Sequence, residues 1–217
     1  MLNSSTQVAI IDYGMGNLRS VAHAFEAIGS SVAIVHQPEE LQMATHLVLP
    51  GVGAFRDGMK NLQNAGWIPM LERMVLEQKK PFLGICLGMQ LLATWGTEQG
   101  EWKGLGWVDA IVERLPAENP KIRVPHVGWN EVKFLQTHHL FQGLAAQQDF
   151  YFVHSYALLI APDVSIAGVT THGHAFVSSI AQENIYATQF HPEKSQKAGL
   201  AVLRNFLNCL QPGGTSC

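Results

Sequence analysis

The first half of the chain alternates short, unbroken apolar runs with longer segments of helical period, and this pattern narrows the fold more than any other feature. The runs are "VAIID" (Val8 to Asp12), "SVAIV" (Ser31 to Val35), "HLVLP" (His46 to Pro50) and "PFLGI" (Pro81 to Ile85). They read as continuous apolar runs, the pattern of strands buried on both faces. A helical stretch follows each: Gly16 to Gly29, then segments near Glu39 to Ala44, Phe55 to Gln63 and Ile68 to Gln78, and a last one opening near Leu87. In the first of these Leu18, Val21, Ala22, Phe25 and Ile28 recur at helical spacing, and Gly29 is placed to stop it. Strands and helices in alternation predict a mostly parallel sheet with helices on both faces.

After Gly104 the pattern changes to closely spaced strand-like runs: "GWVDAIVERL", "NEVKFL", "FYFVHSYAL", "SIAGVT", "AFVSSIAQ" and "IYATQF". They predict antiparallel strands that extend the sheet or form a small second one. A closing helix, Ser195 to Leu210, puts Leu200, Leu203, Phe206, Leu207 and Leu210 on one face. With no repeat, low-complexity tract or linker in view, the expected organisation is a single α/β domain over residues 1–217. A chain of 217 residues, 47% hydrophobic and 14% charged, supplies the core such a sheet needs. A domain of that size buries roughly 70% of the surface its unfolded chain exposes.

The formal net charge of -3 and the pI near 6.3 offer no footprint for nucleic acid or an anionic membrane, so neither is an expected partner. No apolar run approaches the ~20 residues of a membrane helix, and "MLNSSTQVAIID" lacks the basic start of a secretory signal. Cys86, Cys209 and Cys217 are odd in number and show no C-x-x-C spacing, which fits a reducing compartment. The expected location is the cytoplasm.

The chemistry centres on "PFLGICLGMQLL", where Gly84 and Gly88 flank Cys86. G-x-Nuc-x-G is the form of a nucleophile elbow: a strand delivers a strained nucleophile to a tight turn, and a helix begins at once. The N–H of Leu87 is then an oxyanion donor, and the helix start favours a thiolate. On the cysteine alone, a buried free thiol at a strand end is the commoner reading, and the flanking glycines narrow that gap without closing it. "YATQFHPEKS" adds His191 as a proton-transfer partner and Glu193 to orient it. Read as an extended segment held open by Pro192, it points the two side chains the same way. Alone, it is an ordinary strand-end turn with a surface carboxylate. A third segment, "LPGVGAF", places Gly51 and Gly53 around Val52, a loop able to turn an N–H toward an oxyanion opposite Leu87. In a parallel sheet the loops at the carboxyl ends of strands share one edge, so the three segments can converge. The pairs His138–His139 and His172–His174 lack carboxylates or cysteines at ligand spacing, and no metal is expected there.

With Cys86, His191 and Glu193 together, the chain resembles the class I (triad) glutamine amidotransferases, whose signatures match "GICLGMQ" and "FHPE". "DYGMGNLRSV", "VPHVGWN", "YFVHSY" and "QFHPEKS" further resemble the amidotransferase subunits of imidazole glycerol phosphate synthase. The resemblance implies a flavodoxin-like α/β fold without cofactor, and hydrolysis of glutamine through a thioester on Cys86. It implies an oxyanion hole at Leu87, Val52 and Gly53, and glutamine contacts from Gly51, Gln90, Glu98, His154, Ser155 and Tyr156. It implies a (β/α)8 cyclase partner, faced by Asn17, Trp129, Tyr151 and Lys194. The same four residues also read as a helix cap, two core aromatics and a solvated charge. The amidotransferase of another synthase, anthranilate-type or sugar-modifying, and a silent regulatory subunit are the competing readings.

Overall fold

The computed structural model describes residues 7–117, 122–159 and 166–209; the predicted positions Ser165, Leu210 and Cys217 lie outside them. Its order is β1 (Gln7–Ile11), α1 (Leu18–Glu26), β2 (Ser31–Val35), β3 (His46–Gly51), α2 (Phe55–Asn64), α3 (Trp67–Leu71), β4 (Phe82–Cys86) and α4 (Leu87–Gln90). Then come β5 (Ala93–Gly96), β6 (Trp102–Lys103), β7 (Val108–Arg114), β8 (His126–Phe134), β9 (Gln147–His154) and β10 (Tyr156–Leu158). The chain closes with β11 (Ile166–His172), β12 (His174–Gln182), β13 (Ile185–Thr188) and α5 (Gln196–Leu207).

The strands form a nine-stranded sheet in the order β2-β1-β3-β4-β13-β12-β11-β8-β9. The half from β2 to β13 is parallel, and the half from β12 to β9 is antiparallel. A second sheet, β10-β7-β5-β6, stands apart. The late strand-like runs thus do both things the sequence allowed, except that β13, expected to be antiparallel, pairs with β4 in parallel and with β12 antiparallel.

Period-2 geometry splits each central strand between two cores. Val8 and Ile10 of β1 face one side with Val21 and Phe25 of α1 and Phe206 of α5. Ala9 and Ile11 face the other with Phe55 and Leu62 of α2 and Trp67 of α3. This is why the run shows no polar alternation: neither face meets water. Among the described residues, no helix is long and apolar enough to cross a membrane.

Several local expectations are refined, and two strands are added. The stretch predicted as helix over Ile68 to Gln78 is a short α-helix continued by a π-helical turn, Glu72–Glu77. The one near Glu39 to Ala44 is a 3-10 turn, Pro38–Met43, with Pro38 in its first turn. Strands β5 and β6 were not anticipated; at four and two residues they carry too little periodicity to read.

Candidate active site

The carboxyl ends of β3, β4 and β13 lie side by side, because these strands are parallel neighbours. Gly51, the last residue of β3, pairs with Cys86, the last of β4. The segments that follow therefore converge, as the topology requires.

Cys86 has φ 54° and ψ -108°, a conformation that side chains avoid. The flanking glycines make the turn possible by close packing. A Cβ on Gly84 would lie 2.8 Å from the Gly88 carbonyl oxygen, and one on Gly88 would run into the carbonyl of Leu49. The helix behind the elbow is α4, a single turn of four residues, and β5 follows almost at once. This corrects the helix-start argument: one turn carries little of a macrodipole, so local hydrogen bonds must do most of the work on the sulfur. Its contacts are the Val153 carbonyl at 4.0 Å and Nε2 of Gln189 at 3.6 Å.

His191 and Glu193 are joined by a 2.8 Å bond between Nδ1 and Oε1, with side chains 3% and 2% exposed. The segment is not extended as expected. Pro192–Lys194 is a 3-10 turn capped by His191, and proline fits its first position because its ring presets φ and no N–H is needed there. The turn still brings Glu193 under the imidazole. Burial alone lowers the affinity of His191 for its proton; hydrogen bonding and charge from Cys86 and Glu193 outweigh burial and raise its pKa to about 10. Nε2 feels the Cys86 sulfur electrostatically but makes no regular hydrogen bond among the described residues.

In front of Cys86 lies a cavity of about 400 Å³. Val52, Gly53 and Ala54 line one side, Leu87 and Gln90 the floor, and Glu98 with Val153 to Tyr156 the rest. Every residue expected at the oxyanion hole or against glutamine lines it, apart from Gly51. Gly51 lies behind the wall, where a Cβ would meet the Tyr13 hydroxyl and lie 3.0 Å from Cβ of Leu87. Gly53 has φ 110°, open to glycine alone, and Val52 is exposed at the mouth.

The polar groups of the wall are already partly engaged. Glu98 accepts the N–H of Phe55 at the start of α2 (2.9 Å). Gln90 gives its NH2 to the Tyr156 carbonyl (2.7 Å) and to Oε1 of Gln189 (3.0 Å), leaving only its oxygen for a ligand. Both ring nitrogens of His154 are occupied, one by the Tyr156 carbonyl (2.9 Å) and one by His126 (3.0 Å), so the ring buttresses the wall.

The family model for glutamine amidotransferase class-I matches residues 9–209. The chain belongs to the class-I glutamine amidotransferases. It is 48% identical to imidazole glycerol phosphate synthase subunit HisH 1 of Campylobacter jejuni (strain RM1221) over 92% of this chain and 98% of that relative. It is 45% identical to imidazole glycerol phosphate synthase subunit HisH of Moorella thermoacetica over 96% of this chain and 98% of the relative. A crystal structure of a glutamine amidotransferase superposes with a TM-score of 0.73 at 21% identity, over 93% of this chain and 97% of that one. That likeness speaks for the fold alone.

The residues expected at a partner do not line this cavity. Asn17 is exposed and caps α1, its side chain accepting the N–H of Ser20 at 3.4 Å. Trp129 is 49% exposed on β8, which removes core packing as its role. Its ring meets Tyr151 edge-on at 6.2 Å, and the Lys194 ammonium sits 5.8 Å over the Tyr151 ring. Cys209 is buried beside Nε2 of His139 (2.8 Å). Among the described residues no group of three His, Cys, Asp or Glu is placed to hold a metal.

Four residues at the site were not singled out from the sequence: Gln189, Ser195, His126 and Tyr13. All four stand inside quoted motifs, but the contacts that give them their roles, such as Gln189 to Cys86 and Ser195 to Tyr151, cross long stretches of sequence. Tyr13 is buried with a hydroxyl that has no partner among the described residues; burial, then the Cys86 charge, pushes its pKa far above the ordinary phenol value.

Proposed function

We propose that this chain is the glutaminase subunit of an imidazole glycerol phosphate synthase, acting as one domain beside a separate (β/α)8 cyclase subunit. The observation that carries the reading is 45–48% identity to such subunits over nearly their whole length. A buried Cys86, with the buried side chains of His191 and Glu193, beside a cavity of about 400 Å³ supports it.

In this reading the Cys86 sulfur attacks the carboxamide carbon of glutamine, and the oxyanion is held by the N–H of Leu87 and by the Val52–Gly53 loop. His191, held by Glu193, protonates the departing ammonia as the C–N bond breaks and leaves a glutamyl thioester. It then takes a proton from water, which attacks the thioester and frees glutamate and the thiol. Gln90, Glu98 and the wall from His154 to Tyr156 orient glutamine. Ammonia passes to the cyclase, which makes imidazole glycerol phosphate and an aminoimidazole carboxamide ribonucleotide in histidine biosynthesis. Asn17, Trp129, Tyr151 and Lys194 receive the cyclase. The setting is the cytoplasm.

The test is ammonia release from glutamine by the parent and by Cys86→Ala, each with the cyclase and its nucleotide. The parent should be slow alone and faster in the complex, and the variant inactive. Equal rates for the two would defeat the enzyme reading. Activation only by the partner of another synthase would defeat the pathway reading.

A further inference from the structure

The hydrogen bonds around Cys86 run on past the site, and their donor and acceptor roles are fixed by groups that have no choice. The carbonyl of Tyr156 can only accept. Gln90 must therefore turn its NH2 toward it (2.7 Å), and the second N–H of that NH2 requires an oxygen on Gln189 (3.0 Å). Gln189 is left with its own NH2 facing the sulfur of Cys86 at 3.6 Å. The same carbonyl fixes the other branch. His154 carries its proton on Nδ1 to reach Tyr156 (2.9 Å), so its Nε2 accepts from Nδ1 of His126 (3.0 Å). Nε2 of His126 then accepts from the NH2 of Asn130 on β8 (3.2 Å). Asn130 cannot be turned over, because its NH2 also serves the Thr171 carbonyl (3.0 Å) and its oxygen takes the N–H of Glu131 (2.8 Å).

We propose that Gln189 is a positioning residue for the nucleophile, its amide aimed at the Cys86 sulfur by Gln90 and, through the Tyr156 carbonyl, by a histidine chain anchored on Asn130. Gln189 is fully buried and does not line the cavity, so it acts through Cys86 and leaves glutamine untouched. Its N–H holds the sulfur in one orientation and stabilises negative charge on it, a role that the one-turn α4 fills poorly. The chain requires both histidines to be neutral. Burial meets that requirement first, with neighbouring histidines adding to it: His126 is lowered to about 4 and His154 to about 3. The remote end lies next to Trp129, so β8 and the nucleophile share one bonded framework.

The inference rests on Cys86 being the nucleophile of the proposed glutaminase, and the test separates the two. Cys86 is alkylated with iodoacetamide in the full-length chain, with Cys86→Ala as the blank, and glutaminase kinetics are followed in the complex with the cyclase. Gln189→Met keeps the volume and removes the donor. It should slow alkylation about tenfold and lower kcat by a similar factor, with KM within about twofold, the scale of one hydrogen bond to a charged group. Alkylation and kcat equal to those of the parent would overturn the inference. If Gln189→Met does not fold, Gln90→Met frees the Gln189 amide to rotate and is read by alkylation alone: slower labelling supports the chain, and an unchanged rate overturns it. Failure of the nucleophile reading looks different, as ammonia release that survives in Cys86→Ala.

Discussion

The main-chain N–H of His191 donates to the carbonyl of Tyr151 at 2.9 Å. The base of the site is thereby tied to β9 at Tyr151, whose ring lies under the Lys194 ammonium. Ser195 closes the same loop: its hydroxyl donates to the His191 carbonyl (2.6 Å) and accepts the N–H of Tyr151 (3.0 Å). Ser195→Ala removes both bonds and leaves the part-buried N–H of Tyr151 unpaired. The expected loss is about 1–3 kcal/mol of unfolding free energy, measured by urea denaturation, together with a lower kcat as His191 loosens. A loss under about 0.5 kcal/mol would mean that the turn is held by its other contacts.

Stability should fall on both sides of neutrality. Burial, the main cause, lowers His46 and His126 to about 4 and His154 to about 3. Below the ordinary histidine value of about 6.5 the unfolded chain binds protons that these groups refuse, so their contribution is present above that pH and lost as pH falls toward 4. His191 behaves oppositely. Its folded value is raised to about 10, so its contribution is complete below about 6.5 and lost as pH rises through 10. Urea midpoints measured from pH 4 to 10 should peak near neutrality, with the steeper limb on the acid side. His46→Gln keeps a donor for the Cys209 carbonyl and should flatten the acid limb; an unchanged slope would count against His46 as a contributor.

The parts of this molecule that sequence exposes are those whose cause is local. β1, β3 and β4 could be read within a residue or so because burial on both faces writes an unbroken apolar run. The Cys86 elbow could be read because a strained turn needs Gly84 and Gly88 within two residues of it. Trp129 and Tyr151 were ambiguous because an aromatic on a strand looks the same whether it faces a core or the surface; the 49% exposure of Trp129 takes that residue out of the core. Gln189 and Ser195 were invisible in their roles for a different reason. Their hydrogen-bond partners are set by tertiary approach, Gln189 reaching Cys86 across 103 positions and Ser195 reaching Tyr151 across 44. The turn at Pro192 was misread because proline suits both an extended residue and the first position of a 3-10 turn.

Trp129 should matter to assembly and not to folding. Half exposed on β8, it contributes little buried area to this chain, and Trp129→Ala should leave the urea midpoint within the scatter of a surface change, about 0.5 kcal/mol. A large aromatic at the centre of an interface is a common anchor, worth about 2 kcal/mol or more. Affinity for the cyclase, measured by calorimetry, should therefore drop roughly thirtyfold. A destabilised chain with unchanged affinity would reverse both statements.

The strain at Cys86 yields a comparison that separates backbone from chemistry. At φ 54° and ψ -108° any residue with a Cβ is held away from its preferred regions, at about 1–3 kcal/mol. Glycine relaxes there at the cost of about 0.5–1 kcal/mol in chain entropy. Cys86→Ala keeps the strain and Cys86→Gly releases it, yet both lose the sulfur and should release no ammonia. The alanine methyl, buried for about 0.8 kcal/mol, offsets part of the strain as well, so Cys86→Gly should be the more stable by about 0.5 kcal/mol in urea unfolding. Alanine as the more stable of the two would show that the turn is held without strain, and that the glycines at 84 and 88 alone shape the elbow.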